Sequence, residues 1–243
     1  MKKLFKAIRQ ENLEEVKAII EKKPELVNCV ATPPPKKDNG QSPLQVACKI
    51  SAMEIIDYLI ENGADVNFME AEDDDPGPRC PVLHDAIRMV LMSLCYRKFD
   101  VSDYGLKTVE ELLKRGADPN MRASNGFDAL NHAISDAEYI LERDIYSASW
   151  EKAEQQIVKL FDLLIEYGAD FQGWANRGHF PEPYPMESNK VRYLDDFVPG
   201  DDVVQEYTIR GKKHKSVIQG DLDETAHTRA VMQRYYKERG LQV

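Results

Sequence analysis

The sequence lacks long apolar runs and paired cysteines, and each absence excludes a class of protein. No segment of the 243 residues approaches the roughly 18 to 20 apolar residues that a membrane-spanning helix needs. The basic start is interrupted by Lys6, Arg9 and Gln10, so it does not fit a signal peptide. Without a secretion signal or a Cys-x-x-Cys pair, a disulfide framework is not expected. We therefore expect a cytoplasmic protein that keeps its four cysteines as buried thiols: Cys29, Cys48, Cys80 and Cys95.

An excess of positive charge is also missing. The chain has 32 Lys and Arg residues against 42 Asp and Glu residues, which gives a formal net charge of −10. Residues 175–243 contain 11 of each sign, so the whole acidic excess lies in residues 1–174. A surface that binds phosphate groups needs clustered positive charge, so nucleic acid is not expected as a ligand. A basic protein partner fits this charge balance better.

Motifs of catalysis are absent as well. No G-x-S-x-G, H-E-x-x-H or G-x-x-x-x-G-K-[ST] occurs. Asp201 and Asp202, with a second acidic pair just upstream, could hold a cation or serve acid–base chemistry, but the neighbouring Pro199 and Gly200 favour a solvated turn. We therefore expect neither an enzyme nor a cofactor, and an activity within residues 175–243 is the alternative.

A zinc site is the other chemical alternative. Cys80, His84 and Cys95 could approach one another, since Cys80 and His84 have a plausible helical spacing. A closed structural zinc site needs four ligands, however, and this segment supplies three. No bound metal is therefore expected.

Internal repeats are the strongest signal that is present. Three apolar helix ends are followed by Gly-Ala-Asp, and their glycines, Gly63, Gly116 and Gly168, lie 53 and 52 residues apart. Glycine accepts the left-handed conformation that ends a helix without steric cost. Each closing segment follows a short apolar opening: Ser42-Pro43-Leu44-Gln45-Val46-Ala47, Val82-Leu83-His84-Asp85-Ala86 and Asp128-Ala129-Leu130-Asn131-His132-Ala133.

These openings and closings resemble the ankyrin repeat, whose signature includes T-P-L-H-x-A and a closing G-A-D-x-N. The resemblance covers roughly residues 3–173, including a first repeat that opens at Leu4 and lacks the closing glycine. It implies a mainly α fold, a solenoid of stacked two-helix repeats that share one core. His84 stands at the histidine position of the signature, where the family uses a hydrogen bond to tie neighbouring turns.

Measured against the 33-residue period of the family, the repeats carry long insertions. We expect six extra residues between repeats two and three, 14 between the helices of repeat three, 19 within repeat four and about seven in the first loop. Residues 89–96 should lengthen the inner helix of repeat three, and residues 68–78 should protrude as an acidic finger. The predicted repeats span about 3–39, 40–78, 79–125 and 126–174, within a domain of residues 1–174.

The repeat signal stops after residue 173. Two β-rich segments at 203–209 and 215–218 flank the turn-like 210–213, which predicts a β-hairpin. A last helix is predicted from residue 223 to 240. We expect this extension, residues 175–243, to cap the exposed end of the solenoid, since such ends need covering. A separate docking element is the alternative.

The resemblance implies a non-catalytic module that binds another protein with its loop tips and inner helices. Several of the residues at these positions are charged, so we expect a polar, electrostatically steered contact and no small-molecule ligand. The predicted partner-binding residues are Lys37, Gln41, Lys49, Asp73, Asp74, Asp75, Arg79, Arg88, Arg122, Ser124, Asn125 and Asp136.

The most specific role expected is neutralisation of a basic protein. The irregular repeats and the net negative charge are similar to those of standalone ankyrin proteins, some of which neutralise a partner as immunity proteins or antitoxins do. The alternative is an adaptor or host-directed effector that recruits a target protein.

Overall fold

The computed structural model describes residues 1–33, 36–71, 78–144, 150–170, 203–209 and 212–218. Up to residue 170 the described chain forms four consecutive helix pairs. Two short 3-10 turns, Pro24–Asn28 and Lys36–Asp38, lie in the loop after the first pair. The helices are α1 (Lys2–Arg9) and α2 (Leu13–Lys22), α3 (Pro43–Ile50) and α4 (Met53–Glu61), α5 (Val82–Cys95) and α6 (Phe99–Lys114), and α7 (Ala129–Asp144) and α8 (Trp150–Glu166).

Local capping explains where α3 begins. The Ser42 hydroxyl accepts a hydrogen bond from the Gln45 backbone N–H at 3.2 Å, and the Gln45 side chain accepts one from the Ser42 N–H at 3.1 Å. This reciprocal capping box satisfies two N–H groups that a helix start leaves unpaired. Pro43 occupies the first helical position, where its missing N–H costs nothing.

The helix pairs stack in two layers. The inner helices α1, α3, α5 and α7 contact one another in that order, and the outer helices α2, α4, α6 and α8 form the second layer. Apolar side chains between the layers form one core that runs through all four pairs. No single pair could bury its own apolar face, which is why the repeats stack. Apolar residues at helical spacing in the sequence predict stripes on the outer helices, and all but one of their members are buried. The buried ones are Ile55, Ile56, Leu59 and Ile60 on α4, Val109, Leu112 and Leu113 on α6, and Ile157, Leu160, Phe161 and Leu164 on α8, whereas Ile165 on α8 is partly buried.

The insertion in the third pair lengthens both of its helices. α5 has 14 residues and α6 has 16, against eight and nine in α3 and α4. The sequence predicts the longer inner helix, and the outer helix grows with it. Gly105 lets the two long helices approach closely, since a Cβ atom there would lie 2.9 Å from Cγ2 of Val90.

Glycine ends the outer helices as predicted. Gly63, Gly116 and Gly168 have φ values of +84°, +89° and +93°, in the left-handed region that favours glycine. In the first repeat, Lys23 takes this place with a φ of −143°. The chain there continues into the 3-10 turn Pro24–Asn28 instead of a left-handed cap.

The cysteines are free thiols, and their burial differs from the prediction. Cys48 is buried, and Cys29 and Cys80 are partly buried. The prediction was wrong for Cys95, which is exposed because it is the last residue of α5, where the chain leaves the core.

Two antiparallel strands are described in the C-terminal extension. β1 (Val203–Ile209) pairs with β2 (Lys212–Ile218), with Ile209 opposite Lys212. β2 begins three residues earlier than the segment read from the sequence. The predicted helix at 223–240 lies outside the described residues. Of the helices described, none has the length and apolarity that a membrane crossing requires.

Candidate protein-interaction surface

The loop tips between repeats are joined by backbone hydrogen bonds. In the first loop, the Ala31 N–H donates to the Gln41 carbonyl at 2.8 Å and the Gly40 N–H donates to the Ala31 carbonyl at 3.0 Å. The Ala71 N–H in the second loop then donates to the Gly40 carbonyl at 2.8 Å. Gly40 has a φ of +79°, and a Cβ atom there would lie 2.7 Å from the Ala71 carbonyl oxygen. The close approach of the two loops therefore depends on glycine at this position.

A second link joins the next two loops. Arg79 and Ser124 exchange two hydrogen bonds of 2.9 Å, from the Ser124 N–H to the Arg79 carbonyl and from the Arg79 N–H to the Ser124 hydroxyl. Within the second loop, Met69 and Pro81 form an antiparallel bridge. Residues 68–71, predicted as part of a protruding finger, are therefore the base of this loop, and its tip at 72–77 lies outside the described residues.

Gln45 ties the second repeat to the third beneath these loops. Its side-chain Nε2 donates to the Cys80 carbonyl at 2.9 Å and to Oδ2 of Asp85 at 3.1 Å. Burial raises the pKa of Asp85 from 3.8 to about 7, and the positive charge of Lys49 acts in the opposite direction. A titratable carboxyl group is thus enclosed where two repeats meet.

Glu70 makes a second polar link close to this one. Its Oε1 accepts a hydrogen bond from Gln41 Nε2 at 2.9 Å, and its Oε2 accepts one from the Cys80 N–H at 3.3 Å. The carboxylate therefore bridges the first loop and the entry to α5.

His84 and His132 stack between the third and fourth repeats. Their ring centroids are 4.9 Å apart and the rings are inclined by 15°. Burial lowers the pKa of His84 to about 3, the charge of His132 acts in the same direction, and the backbone of Met121 opposes both. Burial also lowers the pKa of His132, although Asp136 at 3.7 Å acts to raise it. Both rings are therefore neutral near pH 7 and form a stacked contact between repeats.

Asparagine side chains connect the closing turns on the outer side of the loops. Asn67 Nδ2 donates to the Gly116 carbonyl at 2.8 Å, and its Oδ1 accepts from the Asp118 N–H at 2.8 Å. Asn120 repeats this pair of bonds with Gly168 and Asp170, and Asn28 with Gly63 and Asp65. Each closing asparagine therefore holds the next repeat in register.

The predicted partner-binding residues do not all lie at the surface. Six are exposed, namely Lys37, Lys49, Arg88, Arg122, Ser124 and Asn125, and two are partly buried, Arg79 and Asp136. Gln41 differs from the expectation of an exposed position, since it is only 3% exposed and its amide binds Glu70. Asp73, Asp74 and Asp75 lie outside the described residues.

The zinc alternative does not fit the geometry. Cys80 precedes α5 and Cys95 ends it, and a helix of 14 residues is about 21 Å long. Among the residues that the structure describes, no group of three or more His, Cys, Asp or Glu side chains could hold a metal ion.

Sequence reasoning missed Gln45, Asp85 and the closing asparagines as links between repeats. Asn67 and Asn120 were visible in the Gly-Ala-Asp-x-Asn pattern, which occurs twice, whereas Asn28 follows a segment that lacks Gly-Ala-Asp. The pairing of Gln45 with Asp85 had no such signal, because the pair does not recur in the other repeats and its two residues lie 40 positions apart in the sequence.

The stacked helix pairs and their hydrogen-bonded loops show that the fold is a helical repeat solenoid. The family description of ankyrin repeats, in three copies, matches residues 3–95. Within residues 3–95, the chain therefore contains ankyrin repeats. The comparison with curated proteins found no match. Ankyrin repeats are protein–protein interaction modules, so protein partners are the expected ligands of this surface.

Proposed function

We propose that the chain is a non-catalytic module that binds another protein through its inner surface, formed by the loop tips and the exposed sides of α1, α3, α5 and α7. The observation that carries this proposal is the continuity of the surface. Its loops are hydrogen-bonded from one repeat to the next, and Lys49 on α3 reaches the Lys37 carbonyl in the loop above it at 3.4 Å. A surface assembled in this way presents side chains of several repeats in fixed relative positions.

A capture experiment with matched variants tests the proposal. Lys49→Ala, Arg88→Ala and Arg122→Ala together remove three exposed cations from the inner surface. Lys22→Ala, Lys23→Ala and Lys98→Ala remove the same charge from exposed positions at the end of α2 and just before α6. We expect partners captured from the native host to be lost with the first triple variant and kept with the second. Equal retention by both variants would contradict binding through the inner surface.

The finer role, neutralisation of a basic protein by an immunity or antitoxin type of protein, is supported by the net charge. A groove of about 520 Å³ between α6 and α8 carries four carboxylates around two leucines and two lysines. A basic partner would fit this outer groove. Glu110→Gln with Glu166→Gln should then weaken its capture at low salt, and high salt should weaken capture of the unaltered protein.

The alternative role, an adaptor or effector, would require a second docking element, and residues 175–243 would supply it. We propose instead that this segment caps the fourth repeat, because Ile165 on α8 and Tyr167 just after it are apolar side chains that remain partly exposed in the described residues. Removal of residues 175–243 separates the two roles. Aggregation of the shortened chain supports a cap, whereas a folded chain that loses one partner supports a docking element.

A further inference from the structure

The outer helices and the first three inner helices of the solenoid carry charges of opposite sign. The outer helices α2, α4, α6 and α8 contain 14 acidic and six basic residues. The first three inner helices, α1, α3 and α5, contain six basic residues and one acidic residue. That acid is Asp85, which is buried. The net negative charge of the chain therefore does not describe the inner surface of its first three repeats.

A cationic pocket lies at the start of this surface. It has a volume of about 280 Å³ between α1 and the first loop. Lys2, Lys6 and Arg9 line it, and the buried side chains of Phe5 and Ala31 form part of its wall. Arg9 pairs with Asp38 at the same place, whereas Lys2 and Lys6 form no ion pair with the part of the chain that the structure describes. The pocket thus combines apolar surface with two cations available to a ligand.

The cations continue along the loop tips and inner helices. Lys37 and Lys49 are joined by the 3.4 Å hydrogen bond described above and are both exposed. The side chain of Arg88 is 53% exposed, and its Nε lies 4.0 Å from Oδ2 of Asp136. Arg122 is exposed in the third loop. This series, which we call the inner cationic row, spans the first three repeats.

We propose that the inner cationic row and the α1 pocket bind an acidic segment of a partner protein. Lys37, Lys49 and Arg88 would pair with carboxylates, and an apolar side chain of the segment would enter the pocket beside Phe5. The inference rests on the proposed function and specifies the partner for the same surface. A protein segment is favoured over nucleic acid because the acidic outer helices and the net charge of −10 repel a long polyanion.

The experiment uses the full chain and two fluorescent peptides of equal length, one alternating Glu with Leu and Phe, the other with Lys in place of Glu. Fluorescence anisotropy should show salt-sensitive binding of the acidic peptide. Lys2→Ala with Lys6→Ala, and Lys49→Ala with Arg88→Ala, should each lower its affinity about tenfold. The control pair Lys22→Ala with Lys23→Ala, at exposed positions where α2 ends, should leave the affinity unchanged.

Replacing the acidic residues of the second loop should have the opposite effect on the affinity for the acidic peptide. Asp73→Asn, Asp74→Asn and Asp75→Asn together remove three negative charges from the loop between the described Ala71 and Pro78. This variant should bind the acidic peptide more tightly, whereas recognition of a basic partner through this loop predicts weaker binding of the lysine peptide.

Three results would overturn the inference: no binding of the acidic peptide, equal losses in the inner and outer variants, or equally tight binding of a single-stranded oligonucleotide. The proposed function has a separate outcome. If the inner triple variant loses a captured partner that proves to be basic, the protein-binding role stands and the acidic-segment inference fails.

Discussion

Gln45 and Asp85 are joined across the boundary between the second and third repeats by a 3.1 Å hydrogen bond, from Nε2 to Oδ2, that is shielded from solvent. The same Nε2 also donates to the Cys80 carbonyl, so one amide holds both the entry to α5 and its first turn. Because the amide oxygen of Gln45 caps its own helix, every polar atom of this side chain has a partner. The link is therefore both a capping element and a contact between repeats.

The buried carboxyl group at this link predicts a pH-dependent stability. The pKa of Asp85 is raised from 3.8 to about 7, so between these pH values the folded protein keeps a proton that the unfolded chain has lost. The resulting stabilisation is fully present below pH 3.8 and is lost as the pH rises through 7. The slope contributed by this one group is at most about 1.4 kcal/mol per pH unit.

Asp85→Asn should remove this dependence, since an amide oxygen can still accept the hydrogen bond from Gln45. We expect the variant to be more stable than the unaltered protein at pH 8 and nearly equal to it at pH 4, measured by urea unfolding. Glu61→Gln, which neutralises an exposed carboxylate, is the control and should show no comparable difference. A variant that is less stable at pH 8 would show that the charged form of Asp85 stabilises the fold.

The periodic part of this architecture is readable from sequence because its determinants are local. Apolar residues at helical spacing followed by glycine predict α4 and its left-handed end at Gly63, and the same pattern recurs at Gly116. The long inner helix α5 follows from the apolar run at its end. Such features depend on neighbours within one or two turns, so they need no knowledge of the tertiary structure.

The contacts between repeats were not predictable in this way. His84 and His132 stack although they stand at different positions of their repeats, one and two residues after the opening leucines Leu83 and Leu130. Gln41 was expected at the surface as a loop residue, and it is buried because the bridge beneath the second loop brings Glu70 against it. The net charge also does not predict the inner cationic row, since it sums the charges of both layers.

Replacing a closing asparagine should weaken the coupling between neighbouring repeats. Asn67→Ala removes two hydrogen bonds of 2.8 Å that hold the turn at Gly116 and Asp118. We expect a loss of about 1–2 kcal/mol in the free energy of unfolding. Hydrogen exchange at the Asp118 amide should become faster. Asn62→Ala is the control, because the Asn62 side chain donates to the Tyr58 carbonyl of its own helix at 2.7 Å, and this variant should leave exchange at Asp118 unchanged.

Between the paired helices of the described part of the chain, three residues that are not glycine adopt left-handed backbone: Glu11, Ser51 and Arg97, with φ values of +52°, +59° and +56°. A side chain in this region is strained, and glycine relieves the strain at some entropic cost in the unfolded chain. Ser51→Gly should therefore raise the free energy of unfolding by about 0.5–1 kcal/mol, measured by urea unfolding. Lys107→Gly, at an exposed position inside α6, should lower it by about 1 kcal/mol. Destabilisation by Ser51→Gly would mean that its side chain makes a compensating contact.

Replacing Gly105 by alanine should destabilise the protein, although alanine usually stabilises a helix relative to glycine. Alanine is favoured over glycine by about 1 kcal/mol at an unconstrained helical position. A methyl group at 105 would lie 2.9 Å from Cγ2 of Val90 and 3.2 Å from its backbone nitrogen, so α5 and α6 would have to separate. We expect Gly105→Ala to destabilise the protein by about 1–3 kcal/mol in urea unfolding.

Val90→Ala supplies the matched test of this contact, because it removes Cγ2 and leaves the backbone in place. The double variant Gly105→Ala with Val90→Ala should lose less stability than the sum of the two single variants, by at least about 0.5 kcal/mol. Additive losses would locate the cost of the Gly105 substitution elsewhere than at Val90. A more stable Gly105→Ala single variant would show that α5 and α6 can move apart without cost, and that the close crossing is not required to stack the third repeat.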